Sequence, residues 1–495
     1  MSKILLINPN KWGRGITSIW IPSHTAALKA AGHEVKLFDA TFYSSWTENE
    51  LKYNTLNKQY KPTKYDEMIT WKEGDVYEDL QEFVNDFQPN IIFWSGVSSH
   101  IHGEGEYVNI QYGHDLIQNL KTDAFMITGG LQATAIPYLI LKKFPSIDYI
   151  IRGESELLLP EILTNIDQSK DFESVKGLAW LKEGQLVANP KQEIIKDMDR
   201  IPPYDYSIFE NQVFYRPYNG DIVKGIDYEM SRGCIFTCSY CVETVLQDYY
   251  DCKDASDKSG SLLKPQNYLR SKSAKRVFDE LKYLNREVGI KLIRCQDTNF
   301  LTINRKMLLE LATLLDESDL DIKLYIETRI DRINKGEIKL LKRLKVDGVG
   351  TGLEVASEQF REGHLNRFAT PQKIIDNSKL LREAGIRVTT YNIIGLPDET
   401  EDMILDTIKF NQELMPDNIT VAFYSPYKGT IEAEKGEKID DFHQYEENVD
   451  GQMRTVSHSK LIEPSVLEFY KKHFSHFVFE GLEDLDNLKK QEGLL

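Results

Sequence analysis

Against 60 Lys and Arg the 495-residue chain sets 77 Asp and Glu, a formal net charge of −17. That balance excludes a general duplex-binding protein, because neutralising phosphates needs a concentrated surplus of basic side chains, so no nucleic-acid partner is expected. Hydrophobic residues make up 41% of the chain, enough for sizeable cores, yet no apolar run reaches the roughly 18 residues needed to cross a bilayer, and no membrane span is expected.

At roughly 150 residues per domain the length predicts about three domains. The start, MSKILLINPN, runs from one Lys straight into a strand-like segment and lacks the pattern of a secretory signal, so a cytoplasmic location is expected. Five Cys are too few for a disulfide framework, and an odd count in such a chain points to metal or redox chemistry.

Residues 1–165 alternate short apolar runs with helical stretches. ILLIN (4–8), VKLFD (35–39), IIFWSG (91–96), AFMITGG (124–130) and YIIRGE (149–154) read as strands, and SHTAALKAAGH reads as a helix closed by Gly32. This rhythm predicts a doubly wound, Rossmann-like parallel sheet, whose ligands sit beyond the carboxyl ends of its strands. Those ends carry Asn8-Pro9, Ser95-Gly96 and Gly129-Gly130, which serve equally as tight turns or as room for a ligand. None forms a GxGxxG fingerprint, so a nicotinamide dinucleotide is not indicated.

Residues 166–225 read as a connector with a β-hairpin turning at Glu183-Gly184. From 226 to 430 the rhythm returns: DYEMS, KLIRC (291–295), KLYIE (323–327), VGTGLE (349–354), VTTYNII (388–394) and ITVAFY (419–424). These six βα units predict a partial barrel with its chemistry at the strand carboxyl ends. Thr370-Pro371 and Gly385 bracket one of its helices as N-cap, first-turn Pro and terminal Gly. Residues 431–495 are expected to form a C-terminal cap, charged and helical in places, with FYKKHFSHFVFE (469–480) packing back on the barrel.

The sharpest signal is SRGCIFTCSYCVE, where Cys234, Cys238 and Cys241 stand at Cys-x3-Cys-x2-Cys spacing just after the first barrel strand. Three thiolates hold three irons of a 4Fe-4S cluster and leave the fourth open to a small chelating molecule. A structural zinc site wants four ligands, and Cys252, ten acidic-loop residues further on, makes a poor fourth. Cys295 reads as a small buried residue or an active-site thiol, and His100, His102 and His114 read as loop histidines.

This motif, with Tyr240 before the last Cys, resembles the signature of the radical S-adenosylmethionine (SAM) enzymes. The resemblance implies that SAM chelates the open iron and that one electron from the cluster cleaves it to a 5'-deoxyadenosyl radical. It covers the whole barrel region and puts Tyr240, Asp297, Thr298, Glu327, Glu354, Arg367 and Tyr391 in the SAM site, with Asn392 beside the adenine. Physically, carboxylates at neighbouring strand ends suit the ammonium and hydroxyls of such a ligand, and an Arg suits its carboxylate.

Upstream, TGGLQATAIP (128–137) and DYIIRGESE (148–156) resemble the cobalamin-binding domain that precedes the barrel in one large radical SAM subfamily. The resemblance implies that Ser95, Ser98, Gly129, Gly130 and Thr134 line the cobalamin, with Glu154 holding a loop at the domain junction. The sequence has no Asp-x-His-x-x-Gly motif, so no such His is expected beneath the cobalt. Together the two resemblances imply a cobalamin-dependent radical SAM enzyme. It is read first as a methyltransferase of an unactivated carbon or phosphorus and second as a cyclase, ring-contraction or rearrangement enzyme, or as a radical SAM enzyme with a degenerate cobalamin domain. The cofactors carry that chemistry, the protein places them, and an electron donor such as flavodoxin or ferredoxin is implied. A non-catalytic iron-sulfur or cobalamin sensor is the remaining class, and the strand-end carboxylates argue against it.

Overall fold

The computed structural model describes residues 1–47, 55–56, 61–95, 106–253, 260–424, 430–432 and 459–495, with side chains from 110 onward in the helix that starts at Glu106. Gly96, Ser98, His100 and His102 lie outside the described residues.

The first sheet is built from β1 (Lys3–Asn8), β2 (Glu34–Asp39), β3 (Ile91–Ser95), β4 (Phe125–Gly129) and β5 (Tyr149–Ile151), all parallel in the order β2-β1-β3-β4-β5. β1 and β3 are buried almost throughout, as strands covered by helices on both faces must be. The expected hairpin is present as β6 (Leu178–Lys182) and β7 (Gln185–Ala188), and it is no loose connector: β6 pairs antiparallel with β5 and extends this sheet. Glu183 (φ 53°) and Gly184 (φ 78°) both take left-handed backbone, the conformation that matches a two-residue turn to the twist of its strands.

The second sheet contains the six expected parallel strands and one that the sequence pattern does not reveal. β8 (Tyr215–Tyr218) pairs antiparallel with β9 (Asp221–Tyr228). From β9 the sheet curls through β12 (Leu292–Cys295), β13 (Lys323–Glu327), β14 (Val346–Glu354), β15 (Arg387–Ile394) and β16 (Asn418–Phe423). Two short strands, β10 (Ser231–Arg232) and β11 (Arg270–Ser271), pair above it beside the Cys motif. The helix Pro371–Glu383 starts as expected, the Thr370 side chain accepting from the Lys373 amide.

The C-terminal helix Pro464–Glu480 buries Leu467, Phe469, Tyr470, Phe474 and Phe477 against Ile404, Ile408 and Val421, so the aromatic tail does pack on the barrel. A single apolar cluster runs through both sheets, from Ile4 and Phe93 to Ile226 and Val349. A polar seam reinforces the junction. Thr17, in the loop after β1, donates its amide and hydroxyl to Asp227 of β9, each at 3.1 Å, and Arg216 of β8 donates to the same carboxylate at 2.7 Å. Gly15 makes that approach possible, because a Cβ there would stand 2.1 Å from the Val213 carbonyl oxygen.

A candidate active site between the two sheets

The loop from Cys234 to Cys241 follows β10 directly. Cys234 and Cys238 are buried and Cys241 is half-buried, and the three pack in one cluster with Ile235, Phe236 and Tyr240. Gln247 donates to both the Cys234 and Phe236 carbonyl oxygens at 3.0 Å, pinning the loop to the helix Glu243–Tyr249. Burial pushes the thiols of Cys234 and Cys241 above their ordinary range, and neighbouring carboxylate and thiol charges push them the same way. Only a cationic metal centre makes thiolates favourable there, and three thiols fit a cluster that takes one on each of three irons. Among the described residues no set of three His, Cys, Asp or Glu is arranged around a single metal-ion position. Cys252 stays apart, its sulfur directed at the Tyr250 and Asn267 carbonyl oxygens, and Cys295 is fully buried in the apolar core.

Beside this loop the structure gathers three of the residues expected to hold SAM. Tyr240 donates to Glu354 at 2.9 Å, and Arg367 stands 3.7 Å from the same carboxylate while bonding the Gly352 carbonyl oxygen. Glu354 reaches this position through a break in register between β14 and β15, with its own backbone left-handed at φ 65°. Tyr240 and Glu354 hold the Arg367 guanidinium charged in spite of its burial.

A second group fills the barrel interior. Tyr391 donates to Glu327 at 2.8 Å and shares a 3.0 Å hydrogen bond with Tyr325. Burial lifts the Glu327 carboxyl to about 7, against the pull of Tyr391 and Arg294. Gly350 makes room, since a Cβ there would collide with the Tyr391 hydroxyl.

Asp297 does something the sequence did not suggest. One of its oxygens accepts from the Met230 amide at 3.1 Å and from the Ser231 amide at 2.6 Å and hydroxyl at 2.5 Å, so it clamps the start of the cysteine loop to the end of β12. Its other oxygen is buried without a partner, and burial lifts the carboxyl to about 7. Asn392 is buried among Thr390 and Asn411, in the packing beneath the strand end.

Between the two sheets lies a cavity with about 1020 Å³ of empty space, some of it open to solvent. Ser95, Gly130, Thr134 and Glu154 line it from the first sheet, and Thr298 with Gln296 lines it from the barrel. Gly130 has φ 116° and ψ −178°, backbone that only Gly adopts readily, and Thr134 donates back to the Gly130 carbonyl oxygen at 2.7 Å. Gly129 ends β4 one residue behind the cavity wall. Small residues at the strand ends, Ser95, Gly130 and Thr134, leave room for a large ligand rather than a small ion.

The junction itself is held by charges of which the sequence pattern announces only a part. Glu154 accepts from Arg232 at 3.0 Å, from Arg270 at 2.8 Å and from the Ile195 amide at 2.8 Å. Arg232, two residues ahead of Cys234, also binds Glu156 and Glu229, and Tyr204 caps Glu229. His24 lines the same cavity and bonds Ser155 at 2.8 Å, while burial lowers its affinity for a proton. The charged run RGESE and the Arg of SRGC were the available signals; their pairing needed the third dimension. His114, expected in a loop, lies in the helix Glu106–Ile117 and packs on Phe144.

Residues 228–410 match the family model of the radical SAM superfamily. The chain carries a radical SAM domain. It is 28% identical over 358 residues to an uncharacterized methyltransferase of Pyrococcus horikoshii, covering 72% of each chain. It is also 28% identical over 462 residues to the anaerobic magnesium-protoporphyrin IX monomethyl ester cyclase of Rubrivivax gelatinosus, covering 90% of this chain and 72% of that one. Among solved structures, TsrM of Kitasatospora setae, a radical SAM methyltransferase with cobalamin and a 4Fe-4S cluster bound, superposes with a TM-score of 0.64. The identity is 18%, over 88% of this chain and 78% of that one. The chain therefore shares its fold with TsrM. As in the sequence, no helix among its described residues is long and apolar enough to cross a membrane.

Proposed function

We propose that this chain is a cobalamin-dependent radical SAM enzyme that transfers a methyl group to an unactivated carbon or phosphorus centre. The observation that carries the reading is the cavity between the sheets, lined from one side by Ser95, Gly130 and Thr134 and from the other by Gln296 and Thr298. When bound, the cluster with SAM supplies a 5'-deoxyadenosyl radical and cobalamin supplies a methyl carrier.

The chain's part is placement. Cys234, Cys238 and Cys241 hold the cluster, and the Arg367 guanidinium, kept charged by Tyr240 and Glu354, attracts a carboxylate beside it. Glu327 and Thr298 offer acceptors at adjacent strand ends, and Asp297 holds the cysteine loop in register with them. Gly130 and Ser95 give a flat ligand close access to backbone, and the Arg232 cluster ties the junction together.

A second reading, cyclisation or rearrangement without methyl transfer, is favoured by the cyclase relative, which matches a larger share of the chain than the methyltransferase does. Anaerobic purification with hydroxocobalamin, followed by a visible spectrum and an iron, sulfide and cobalt count, tests the cofactor set. Turnover that yields S-adenosylhomocysteine together with 5'-deoxyadenosine supports methyl transfer. 5'-Deoxyadenosine alone supports the second reading, and an intact cluster that never cleaves SAM sinks both.

A further inference from the structure

The cysteine loop is flanked by buried charges, and one of them has no part in the site described above. Arg329, two residues past β13, is only 6% exposed. Its guanidinium carbon stands 4.0 Å from the ring centre of Phe236, the residue midway between Cys234 and Cys238 and packed in one cluster with them. The Phe236 amide in turn donates to the Cys234 sulfur at 3.4 Å. Arg329 therefore reaches the loop through the residue that already hydrogen-bonds one of its thiols.

An ion pair fixes Arg329 in this place. Asp331 accepts from it twice, at 2.8 and 3.2 Å, and the Phe368 carbonyl oxygen accepts at 2.7 Å. The two side chains are 7% and 12% exposed, so water screens neither charge strongly. Arg332 offers the contrast. Its guanidinium carbon is 5.5 Å from the same ring centre, but the residue is exposed and solvent screens its charge. One aromatic ring of the loop thus faces two cations, one buried and one in water. Of the charges nearby, Arg329 favours negative charge at Cys234, whereas Glu243 disfavours it.

We propose that Arg329 sets the electron affinity of the 4Fe-4S cluster, acting as a positioning residue through Phe236 and Cys234, with Asp331 opposing it. The proposal rests on the radical SAM reading, in which the three thiolates hold that cluster and the cluster takes up one electron. A one-electron reductant, dithionite in vitro, loses that electron; the cluster gains one negative charge, and no bond forms or breaks. Net charge and hydrogen bonds to the sulfurs set the potential of such clusters. A buried guanidinium beside the loop therefore favours the reduced state, and a buried carboxylate disfavours it.

The test is a redox titration of the reconstituted protein without SAM, poised stepwise with dithionite and mediator dyes and followed by the EPR signal of the reduced cluster. Arg329→Gln is expected to shift the midpoint to lower potential, so that fewer than half of its clusters are reduced where half of the native ones are. Asp331→Asn should shift it to higher potential. Arg329→Lys, which keeps the charge, should restore most of the native value, and Arg332→Gln should leave it unmoved. Iron content shows that each variant compared carries its cluster. Should Arg329→Gln fail to hold iron, Asp331→Asn decides alone, an upward shift supporting the proposal and a native midpoint overturning it. Native midpoints in both variants overturn it, as do shifts of both in one direction, which would mark a disturbed loop instead of a lost charge. An equal shift in Arg332→Gln overturns it as well, because burial would then make no difference. A native protein with no reducible cluster refutes instead the reading on which the proposal rests.

Discussion

The two sheets differ at the carboxyl ends of their strands. The barrel presents charged and phenolic groups already tied to one another: Tyr240 with Glu354 and Arg367, Tyr391 with Glu327, Asp297 with Ser231. The first sheet presents small residues, Ser95, Gly129, Gly130 and Thr134, and backbone. One end is made of functional groups; the other, apart from His24 and the ion-paired Glu154 and Glu156, leaves room for a ligand to bring its own. The two should therefore fail differently. Cys238→Ala is expected to abolish both the brown cluster chromophore and the formation of 5'-deoxyadenosine, while cobalamin binding persists at close to native affinity. Loss of cobalamin in that variant, measured by cobalt content after desalting, would show that the two sites are not separable.

The seam between the sheets is where the comparison can be broken outright. Asp227 is fully buried, and although burial opposes its charge, Arg216 and Arg294 hold its carboxyl down at about 2. Asp227→Ala would leave the Arg216 guanidinium buried without its counter-charge and Thr17 without its acceptor, at a cost of about 3–5 kcal/mol. Urea unfolding should then begin at a lower midpoint, with probes in both sheets moving together because one core spans them. A midpoint that moves for only one sheet would contradict the continuous core.

That difference also explains what could be read in the sequence. The barrel was legible because a six-fold strand-helix rhythm and a three-Cys spacing are local patterns, and the strand-end carboxylates follow from register. Glu354 is at the strand end that its sequence position implies, yet its left-handed backbone and the bulge that turns it toward Tyr240 are set by pairing with β15. β8 escaped notice because YRPY carries a Pro and little alternation, as an edge strand does. The hairpin was recognised but not its partner, since pairing with β5 is a long-range choice. Glu154 was expected at the junction but not its pairing, because Arg232 draws Glu154 and Glu156 from a segment more than 70 residues away in the chain.

Gly130→Ala sharpens the comparison from the other side. At φ 116° and ψ −178° an alanine costs about 1–3 kcal/mol of backbone strain, and its methyl group narrows the cavity wall. Cobalamin affinity is expected to fall about tenfold or more in a titration followed by visible absorption, with iron content and SAM cleavage unchanged. Ser95→Ala, which removes one hydroxyl and no space, should cost less. An unchanged affinity in both would remove the first sheet from the cofactor site.

The last expected effect is that of pH on a carboxyl of the barrel alone. Glu399, just past β15, accepts from the Gly395 and Leu396 amides at 2.6 and 3.3 Å, while its other oxygen is buried without a partner. Burial raises the carboxyl to about 8, against the pull of those two amides. The folded chain thus holds this proton more tightly than the unfolded chain. Its contribution to stability is complete below the ordinary value of 4.5 and is lost as pH rises through about 8. Glu399→Gln keeps an acceptor for the amides and removes the titration. Relative to native, the variant should gain stability between pH 5 and 8, by no more than about 1.4 kcal/mol for each pH unit. Urea midpoints of the two proteins that run parallel across that range would mean that Glu399 is ionised in the fold, and that the barrel tolerates a bare charge where the geometry offers it only two amides.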